Sequence, residues 1–187
     1  MPGPGLEILL EEHEINATVA RLAAEVSAAH SDGLILAGIL RGSVPFLSDL
    51  ARALTVRPLI DFLAITPYAP NTGRVRMLKD LDIDVAGRDV VLVNDIVDTG
   101  LTTAFVKGEL ERRGPRSVKV CTFVDRPVRR VVPVGLDYVG IEISDHFVVG
   151  YGLDHEGRYR NARVLATADP EVLATDPDAY VDALYPA

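Results

Sequence analysis

The pattern of apolar residues alternates between helix-like and strand-like segments along most of the chain. Residues 12–30 carry apolar side chains at helical spacing, which predicts an amphipathic helix. Its apolar positions are Ile15, Val19, Leu22, Val26 and Ala29. The short apolar run 34–39 is typical of a buried strand. Behind it, Ser43 as N-cap and Pro45 in the first turn favour a second helix with an apolar face that reaches Leu54.

The middle of the chain repeats this order of strand and helix. Strands are predicted at 59–65, 89–93 and 117–124, and a helix after residue 99 is stopped by Gly114-Pro115. Each strand is apolar almost throughout, so the fold class is α/β, with a mainly parallel sheet flanked by helices. Residues 66–79 are rich in Pro, Gly and Asn without clear periodicity, and a loop of that length is more often a functional flap than filler.

The end of the chain has a different pattern. After residue 126 the sequence contains short extended segments and no long helix, and the last stretch, 168–187, is acidic and interrupted by prolines. We expect a surface tail with one short helix there. A length of 187 residues suits one compact domain and is too short for two of full size.

Composition and charge exclude several classes of protein. The chain is 48% hydrophobic and 25% charged, as ordinary globular proteins are. No apolar run reaches the roughly 18 residues of a membrane helix, so we expect no membrane contact and a cytoplasmic location. A net charge of −8 argues against a nucleic-acid partner. Cys121 lies in an apolar strand, which favours a buried thiol over a catalytic one.

The most informative segment is 90–103, where an apolar strand runs into Asp95 and Asp98 and then into the helix start 99–103. Open parallel sheets bind ligands at the carboxyl ends of their strands, and a helix N-terminus suits a phosphate. Carboxylates beside a phosphate would repel it unless a divalent metal or sugar hydroxyls mediate. The combination predicts a magnesium-bound sugar phosphate. On spacing alone, two solvated loop carboxylates are the alternative; no kinase, ATPase or dinucleotide motif is present.

Segment 90–103 resembles the phosphoribosyl-pyrophosphate signature of type I phosphoribosyltransferases. With Asp98 in its D-T-G form, it is similar to the hypoxanthine-guanine branch of that family. Three more segments support the resemblance, at 39–54, 73–90 and 137–161. Together they cover about residues 6–167 in order and without large gaps.

The resemblance implies a type I phosphoribosyltransferase fold with a small hood subdomain. The single domain would have its core at about 30–135. The hood would be formed by about 1–20 and 140–170, and the acidic tail would cover about 168–187.

The resemblance also implies a role for each matching residue. Asp98 would be the general base that removes the proton from N7 of the purine while N9 attacks the sugar. The remaining positions would bind substrate. They are Leu40, Arg41, Gly42, Asn94, Asp95, Thr99, Gly100, Leu101, Thr102, Arg126, Phe147, Val148 and Arg160. Magnesium would be held by Asp95 and Asp154.

Within this set, the loop Thr99 to Thr103 would hold the 5′-phosphate, and Asp95 the ribose hydroxyls. Arg41-Gly42, next to a cis peptide after Leu40, and Arg160 would contact pyrophosphate.

On the purine side, Phe147 would stack on the base, Val148 would bind its edge through backbone groups, and Arg126 would donate to O6. Three plainer interpretations stay open: Phe147 as a core residue, Arg160 as a surface charge and Asp154 as a turn residue.

Three positions depart from the family pattern. The family normally has Glu before the aspartate where this chain has Asn94, Lys where it has Arg126, and Ser-Tyr in the flap where it has Pro67-Tyr68. Asn94 brings less negative charge to the ribose and metal. Arg126 keeps a donor but is bulkier than lysine. Pro67 stiffens the start of the flap.

The function implied is purine salvage: a 6-oxopurine, hypoxanthine or guanine, and 5-phosphoribosyl pyrophosphate (PRPP) give a nucleoside 5′-monophosphate and pyrophosphate, with magnesium. A non-catalytic PRPP or nucleotide sensor on the same fold is the first alternative. A transferase for xanthine or a modified purine is the second. The expected assembly is a homodimer or homotetramer.

Overall fold

The structure is a computed structural model that describes residues 5–66 and 76–185. Its strands are β1 (Glu7–Leu10), β2 (Ile35–Ile39), β3 (Leu59–Ile65), β4 (Met77–Lys79), β5 (Asp89–Val97), β6 (Ser117–Asp125), β7 (Tyr138–Glu142), β8 (Val148–Val149) and β9 (Leu165–Thr167). Its α-helices are α1 (Glu12–Ala29), α2 (Val44–Ala53), α3 (Leu101–Glu111), α4 (Pro170–Thr175) and α5 (Val181–Leu184), and Pro127–Arg129 form a 3₁₀ turn.

The main sheet has six strands in the order β4-β3-β2-β5-β6-β7. All pairs are parallel except β3 with β4, which is antiparallel. Helices α1 and α2 pack on one face with Val91 and Val93, while Val106 and Leu110 of α3 pack on the other with Leu92. The two faces alternate along β5, as a doubly covered strand requires. The predicted α/β class and mainly parallel sheet are confirmed.

A second sheet of three strands has the order β1-β9-β8, with antiparallel pairs throughout. Strand β1, near the start of the chain, pairs with β9, and β9 pairs with β8. Strands β8 and β9 flank residues 150–164. The segment between β8 and β9 reaches the carboxyl end of β2. A Cβ added at Gly152 in this segment would lie 2.0 Å from the carbonyl oxygen of Gly42, which follows β2.

Strand β5 is longer than the sequence predicts. The apolar run ends at Val93, yet β5 continues to Val97 because its ladder with β6 continues. Asn94 pairs with Thr122, and Val97 with Asp125. Asn94 and Asp95 therefore lie within the strand and not in a loop after it, and their positions are set by the neighbouring strand.

The acidic tail is not the surface tail with one short helix that the sequence predicts. It forms α4 and α5, and Leu173 and Tyr180 are completely buried. These side chains pack with Val149 and Ala166 of the second sheet in a separate hydrophobic cluster. The prediction was wrong because the few apolar residues of the tail complete a core that only exists once that sheet has formed.

Most of the predicted flap, including Pro67 and Tyr68, lies outside the described residues. Its last residues, 77–79, form β4 against β3. Over the described parts of the chain, none of the helices has the length and apolarity needed to cross a bilayer.

Candidate active site

The loop after β2 brings backbone close to the end of β5. The peptide bond between Leu40 and Arg41 is cis, as the resemblance implies. A Cβ added at Gly42 would lie 1.6 Å from Oδ2 of Asp95, so any larger residue there would displace the Asp95 side chain. Ser43 precedes α2 but does not cap it through its side chain, because its hydroxyl donates to the Ile39 carbonyl at 2.6 Å.

Asp95 is the most electrostatically perturbed carboxylate of the site. Burial raises the pKa of Asp95 to about 6, against hydrogen bonding from the Ile96 N–H and the positive charge of Arg160, which lower it. Asp154 adds to the upward shift. A carboxylate in this environment is stabilised in its ionised form by any additional cation.

Asp154 and Arg160 form an ion pair within the segment between β8 and β9. Arg160 Nη2 lies 2.6 Å from Asp154 Oδ1, and Arg160 Nη1 donates to the Gly152 carbonyl at 2.6 Å. The second oxygen of Asp154 accepts from the Gly157 N–H at 2.7 Å. Both side chains are about one-third exposed, so Arg160 is a paired charge held toward Asp95 and not a free surface charge.

The start of α3 is shaped by Gly100. Its φ of +82° is in the left-handed region, and an added Cβ would lie 2.4 Å from the Val132 carbonyl oxygen. The Thr99 carbonyl accepts from the N–H groups of Val131 and Val132 at 2.9 and 3.0 Å. The loop is therefore fixed from behind, while the first N–H groups of α3 have no partner within the helix.

Behind this loop lies Arg130, which the sequence reasoning missed. Its Nε donates to the Asp98 carbonyl at 2.9 Å, Nη2 donates to the Val97 carbonyl at 3.3 Å, and the guanidinium also pairs with Asp125. It holds the backbone between β5 and the phosphate loop. Nothing in the spacing distinguishes Arg130 from its exposed neighbour Arg129, so the sequence carries no signal for this role.

Asp98 and Arg126 form an ion pair with two parallel hydrogen bonds. Arg126 Nε donates to Asp98 Oδ1 at 3.1 Å, and Nη2 donates to Oδ2 at 2.7 Å. Nη1 of the same guanidinium donates to the His146 carbonyl at 2.5 Å. Arg126 is buried, whereas Asp98 is about one-third exposed. The geometry thus joins the end of β5 to the backbone just before Phe147.

Phe147 and Val148 lie at the edge of the second sheet. Phe147 is half-buried, and its ring meets His155 edge-on with centroids 6.0 Å apart. The Ala168 N–H donates to the Phe147 carbonyl at 2.9 Å, so by antiparallel alternation the N–H and C=O of Val148 point away from β9. Because β8 is an edge strand, these groups face outward from the sheet.

Asn94 is 2% exposed, and its Nδ2 has no hydrogen-bond partner among the residues that the structure describes. A buried amide N–H without an acceptor destabilises the fold. Such an unsatisfied group is therefore unusual in a central strand. Within residues 5–66 and 76–185, no three His, Cys, Asp or Glu side chains come together as a metal site.

Comparison with known proteins agrees with this geometry. The phosphoribosyl transferase domain family matches residues 5–156. A hypoxanthine-guanine phosphoribosyltransferase of Mycobacterium avium is 41% identical over 181 residues, covering 91% of this chain and 89% of that protein. A hypoxanthine phosphoribosyltransferase of Escherichia coli strain K12 is 40% identical over 162 residues, covering 83% and 91%.

Solved structures show the same similarity. A hypoxanthine-guanine phosphoribosyltransferase from Bacillus anthracis has a TM-score of 0.84 and 35% identity, covering 87% of this chain and 98% of its own. A mutant hypoxanthine phosphoribosyltransferase from Trypanosoma cruzi, in a ternary complex with substrates, has the same TM-score and identity, covering 88% and 96%.

The fold, the strand-end site and these similarities define the chain as a phosphoribosyltransferase of type I fold, and so as an enzyme. It belongs to the hypoxanthine-guanine phosphoribosyltransferase branch of that family.

Proposed function

We propose that the enzyme transfers the phosphoribosyl group of PRPP to N9 of a 6-oxopurine, hypoxanthine or guanine, and releases pyrophosphate. The observation that carries this proposal is Asp98, which is held by Arg126 one residue before the phosphate loop, at the carboxyl end of the central strand. A carboxylate adjacent to a phosphate site suits a reaction in which a base nitrogen loses a proton while it attacks a phosphorylated sugar.

The N-terminus of α3 binds the 5′-phosphate of PRPP. Its donors are the N–H groups of Leu101 and Thr102 and the hydroxyls of Thr99 and Thr102. The Leu101 N–H has a long contact of 3.4 Å with Thr99 Oγ1, which the phosphate replaces, and Gly100 allows the turn. The pyrophosphate group lies between the loop after β2, where Arg41 and Gly42 supply backbone and charge, and Arg160 on the facing segment.

The purine lies between Phe147, on which it stacks, and the end of β5. The outward N–H and C=O of Val148 bind the edge of the base, and Arg126 donates to O6. Three of the five N–H groups of this guanidinium are in hydrogen bonds, two to Asp98 and one to His146. The remaining N–H groups contact O6 without release of Asp98.

In the reaction, Asp98 accepts the proton from N7 while the N9 lone pair forms the bond to the anomeric carbon. The bond between that carbon and the pyrophosphate oxygen breaks, and the electron pair leaves with pyrophosphate. Arg160 and Arg41 neutralise the charge that develops on the leaving group.

Magnesium fits the residues present. Asp95 is a carboxylate whose ionised form burial disfavours, and Asp154 lies close enough to influence it. Magnesium in proteins commonly takes one or two carboxylates, with substrate oxygens and waters completing its coordination. Bound there with PRPP, it would neutralise the pyrophosphate. Asp154 is paired with Arg160 in this structure, so it contributes through its free lone pairs or through water.

The three-stranded sheet, with the segment between β8 and β9, is the hood, and the six-stranded sheet is the core. The hood supplies Phe147, Val148, Asp154 and Arg160, so the active site lies between the two. Assembly into a homodimer or homotetramer stays a prediction.

A product assay tests the proposal. The purified enzyme is incubated with PRPP, magnesium and single bases: hypoxanthine, guanine, xanthine and adenine. We expect nucleoside monophosphate and equimolar pyrophosphate with hypoxanthine or guanine. Product with xanthine alone would favour the xanthine transferase, and PRPP binding without product from any base would favour the sensor.

A further inference from the structure

The C-terminal segment contacts the residues on both sides of Arg160. The hydroxyl of Tyr159 donates to the Pro177 carbonyl at 2.7 Å and accepts from the Tyr180 N–H at 3.3 Å. Both partners belong to the connection between α4 and α5. Tyr159 is 2% exposed and packs in the same cluster as Tyr180 and Leu184. The residue immediately before Arg160 is thus fixed by two hydrogen bonds and by its buried ring.

Two further contacts extend this arrangement. Arg158 Nε donates to Asp178 Oδ1 at 2.6 Å. On the other side of Arg160, the hydroxyl of Tyr185 donates to Asn161 Oδ1 at 2.8 Å. Residues 158, 159 and 161 each have a side-chain contact with the C-terminal segment, while Arg160 itself points to Gly152 and Asp154.

The backbone at Tyr159 needs such support. Its φ of +71° lies in the left-handed region, which residues other than glycine rarely adopt. Its carbonyl accepts from the Ala162 N–H at 3.0 Å, so the turn that presents Arg160 depends on this conformation. A conformation of this kind persists only when surrounding contacts hold it in place. Here those contacts come from the C-terminal segment, residues 170–185.

We infer that residues 170–185 are a positioning element for Arg160: they hold the turn 158–161 so that its guanidinium faces the pyrophosphate group of PRPP. The inference rests on the proposed function, because it takes Arg160 as the pyrophosphate contact. Loss of the positioning weakens binding of PRPP and of pyrophosphate. It leaves purine binding unchanged as long as the packing of the cluster that includes Phe147 is kept, since Arg126 and Val148 lie outside the turn.

Tyr159→Phe is the most selective variant, because it removes one hydroxyl and keeps the buried ring. We expect KM for PRPP and Kd for pyrophosphate to rise about threefold to tenfold, the scale of one or two neutral hydrogen bonds, with KM for the purine unchanged. Tyr138→Phe is the matched control. It removes a tyrosine hydroxyl that lies 3.1 Å from His30 Nε2. Tyr138 begins β7, so this hydroxyl lies at the amino ends of the parallel strands, and the active site is at their carboxyl ends.

A double-mutant cycle separates positioning from general stability. If Tyr159 acts through Arg160, Tyr159→Phe has its effect in the wild-type background and none in an Arg160→Gln background. The effects of Tyr159→Phe and Arg160→Gln would instead add if the tail only stabilised the fold. Additive effects, an equal rise of both KM values, or the same change in Tyr138→Phe would overturn the inference.

Failure of the inference is distinct from failure of the proposed function. A wild-type protein that forms no nucleotide from any 6-oxopurine and binds neither PRPP nor pyrophosphate would overturn both. An active wild-type enzyme in which Arg160→Gln weakens pyrophosphate binding and Tyr159→Phe does not would overturn the inference alone. A Tyr185→Phe variant repeats the test from the other side of Arg160, and an unchanged Kd for pyrophosphate in both tyrosine variants would count against the role of the tail.

Discussion

Asp98 and Arg126, which are 28 residues apart in the sequence, are joined by two hydrogen bonds of 3.1 and 2.7 Å between one carboxylate and one guanidinium. The proposed base and the proposed O6 donor are thus a single hydrogen-bonded unit. Charge-assisted pairs with two parallel bonds fix orientation as well as distance. A substitution at either residue is therefore expected to affect the other.

Asp98→Asn should lower turnover by about 100-fold or more, because an amide cannot accept the N7 proton. PRPP binding should be preserved, since the phosphate loop is fixed by Gly100 and by the segment 130–132. Steady-state kinetics and PRPP titration measure the two effects. Asp145→Asn is the control, because it removes a carboxylate from an exposed ion pair with Arg129. Unchanged turnover in Asp98→Asn would show that Asp98 is only a structural residue.

Arg126→Gln should weaken 6-oxopurine binding by roughly 1.5 to 3 kcal/mol, the scale of a lost hydrogen bond to a charged group. PRPP affinity should change little. Turnover should fall as well, because Asp98 loses the partner that orients it. Arg126→Lys loses the planar fork but keeps the positive charge. Because the charge is kept, we expect purine binding to be retained better than in Arg126→Gln. Equal losses of purine and PRPP affinity would point to misfolding or to a pyrophosphate role.

The parts of the fold with local sequence patterns are the parts that the sequence predicts. Helix α1 and strand β2 follow directly from the spacing of apolar residues. The extension of β5 through Asn94 and Asp95 does not, because it depends on pairing with β6. The buried tail depends likewise on the second sheet, which brings together residues from both ends of the chain.

The same distinction holds for the candidate site. The strand end with Asp95 and Asp98 and the helix start at Gly100 form one short segment, so the sequence presents them together. The pairing of Asp98 with Arg126, the support from Arg130 and the contacts of the tail with Tyr159 cross long stretches of chain. No local spacing specifies them, and only the tertiary structure shows them.

Asp61 ties β3 to the chain that follows β4, and its charge should contribute to stability. It is 8% exposed. Although burial opposes the charge, the N–H donors of Ile83, Phe62 and Asp82, with the charge of Lys79, lower the pKa of Asp61. A carboxyl with a lowered folded-state pKa stabilises the protein above its ordinary pKa of about 3.9, and this stabilisation is lost as pH falls through the folded-state value.

Asp61→Asn should therefore lower the free energy of unfolding at pH 7 by about 1 to 3 kcal/mol. The difference from wild type should shrink below about pH 4, because Asp61 takes up a proton there in the unfolded chain and only at lower pH in the folded protein. Urea unfolding across this pH range measures both. Asp82→Asn is the control, since that side chain is 86% exposed and should change stability little. A loss that is constant from pH 7 to pH 3 would show that the charge of Asp61 is unimportant.

Asn94 provides the last prediction, because its buried Nδ2 is unpartnered among the described residues where the family normally has glutamate. An amide can bond a ribose hydroxyl but brings no charge to a site where the ligand arrives with magnesium. Asn94→Glu should therefore tighten magnesium-dependent PRPP binding by about fivefold, the difference between a neutral and a charge-assisted hydrogen bond. The gain should shrink when magnesium is withheld. The ligand-free variant should unfold at a lower temperature than wild type, because it buries a carboxylate.

Asn94→Gln separates charge from reach, since it lengthens the side chain without adding a carboxylate. If charge is the missing element, Asn94→Gln does not reproduce the tighter binding, and its affinity for PRPP does not depend on magnesium more than that of the wild type does. Titration of PRPP into the three proteins with and without magnesium decides the matter. Equal or weaker binding by Asn94→Glu at saturating magnesium would mean that Asn94 is adapted to this enzyme's own substrate, and the account based on missing charge would be wrong.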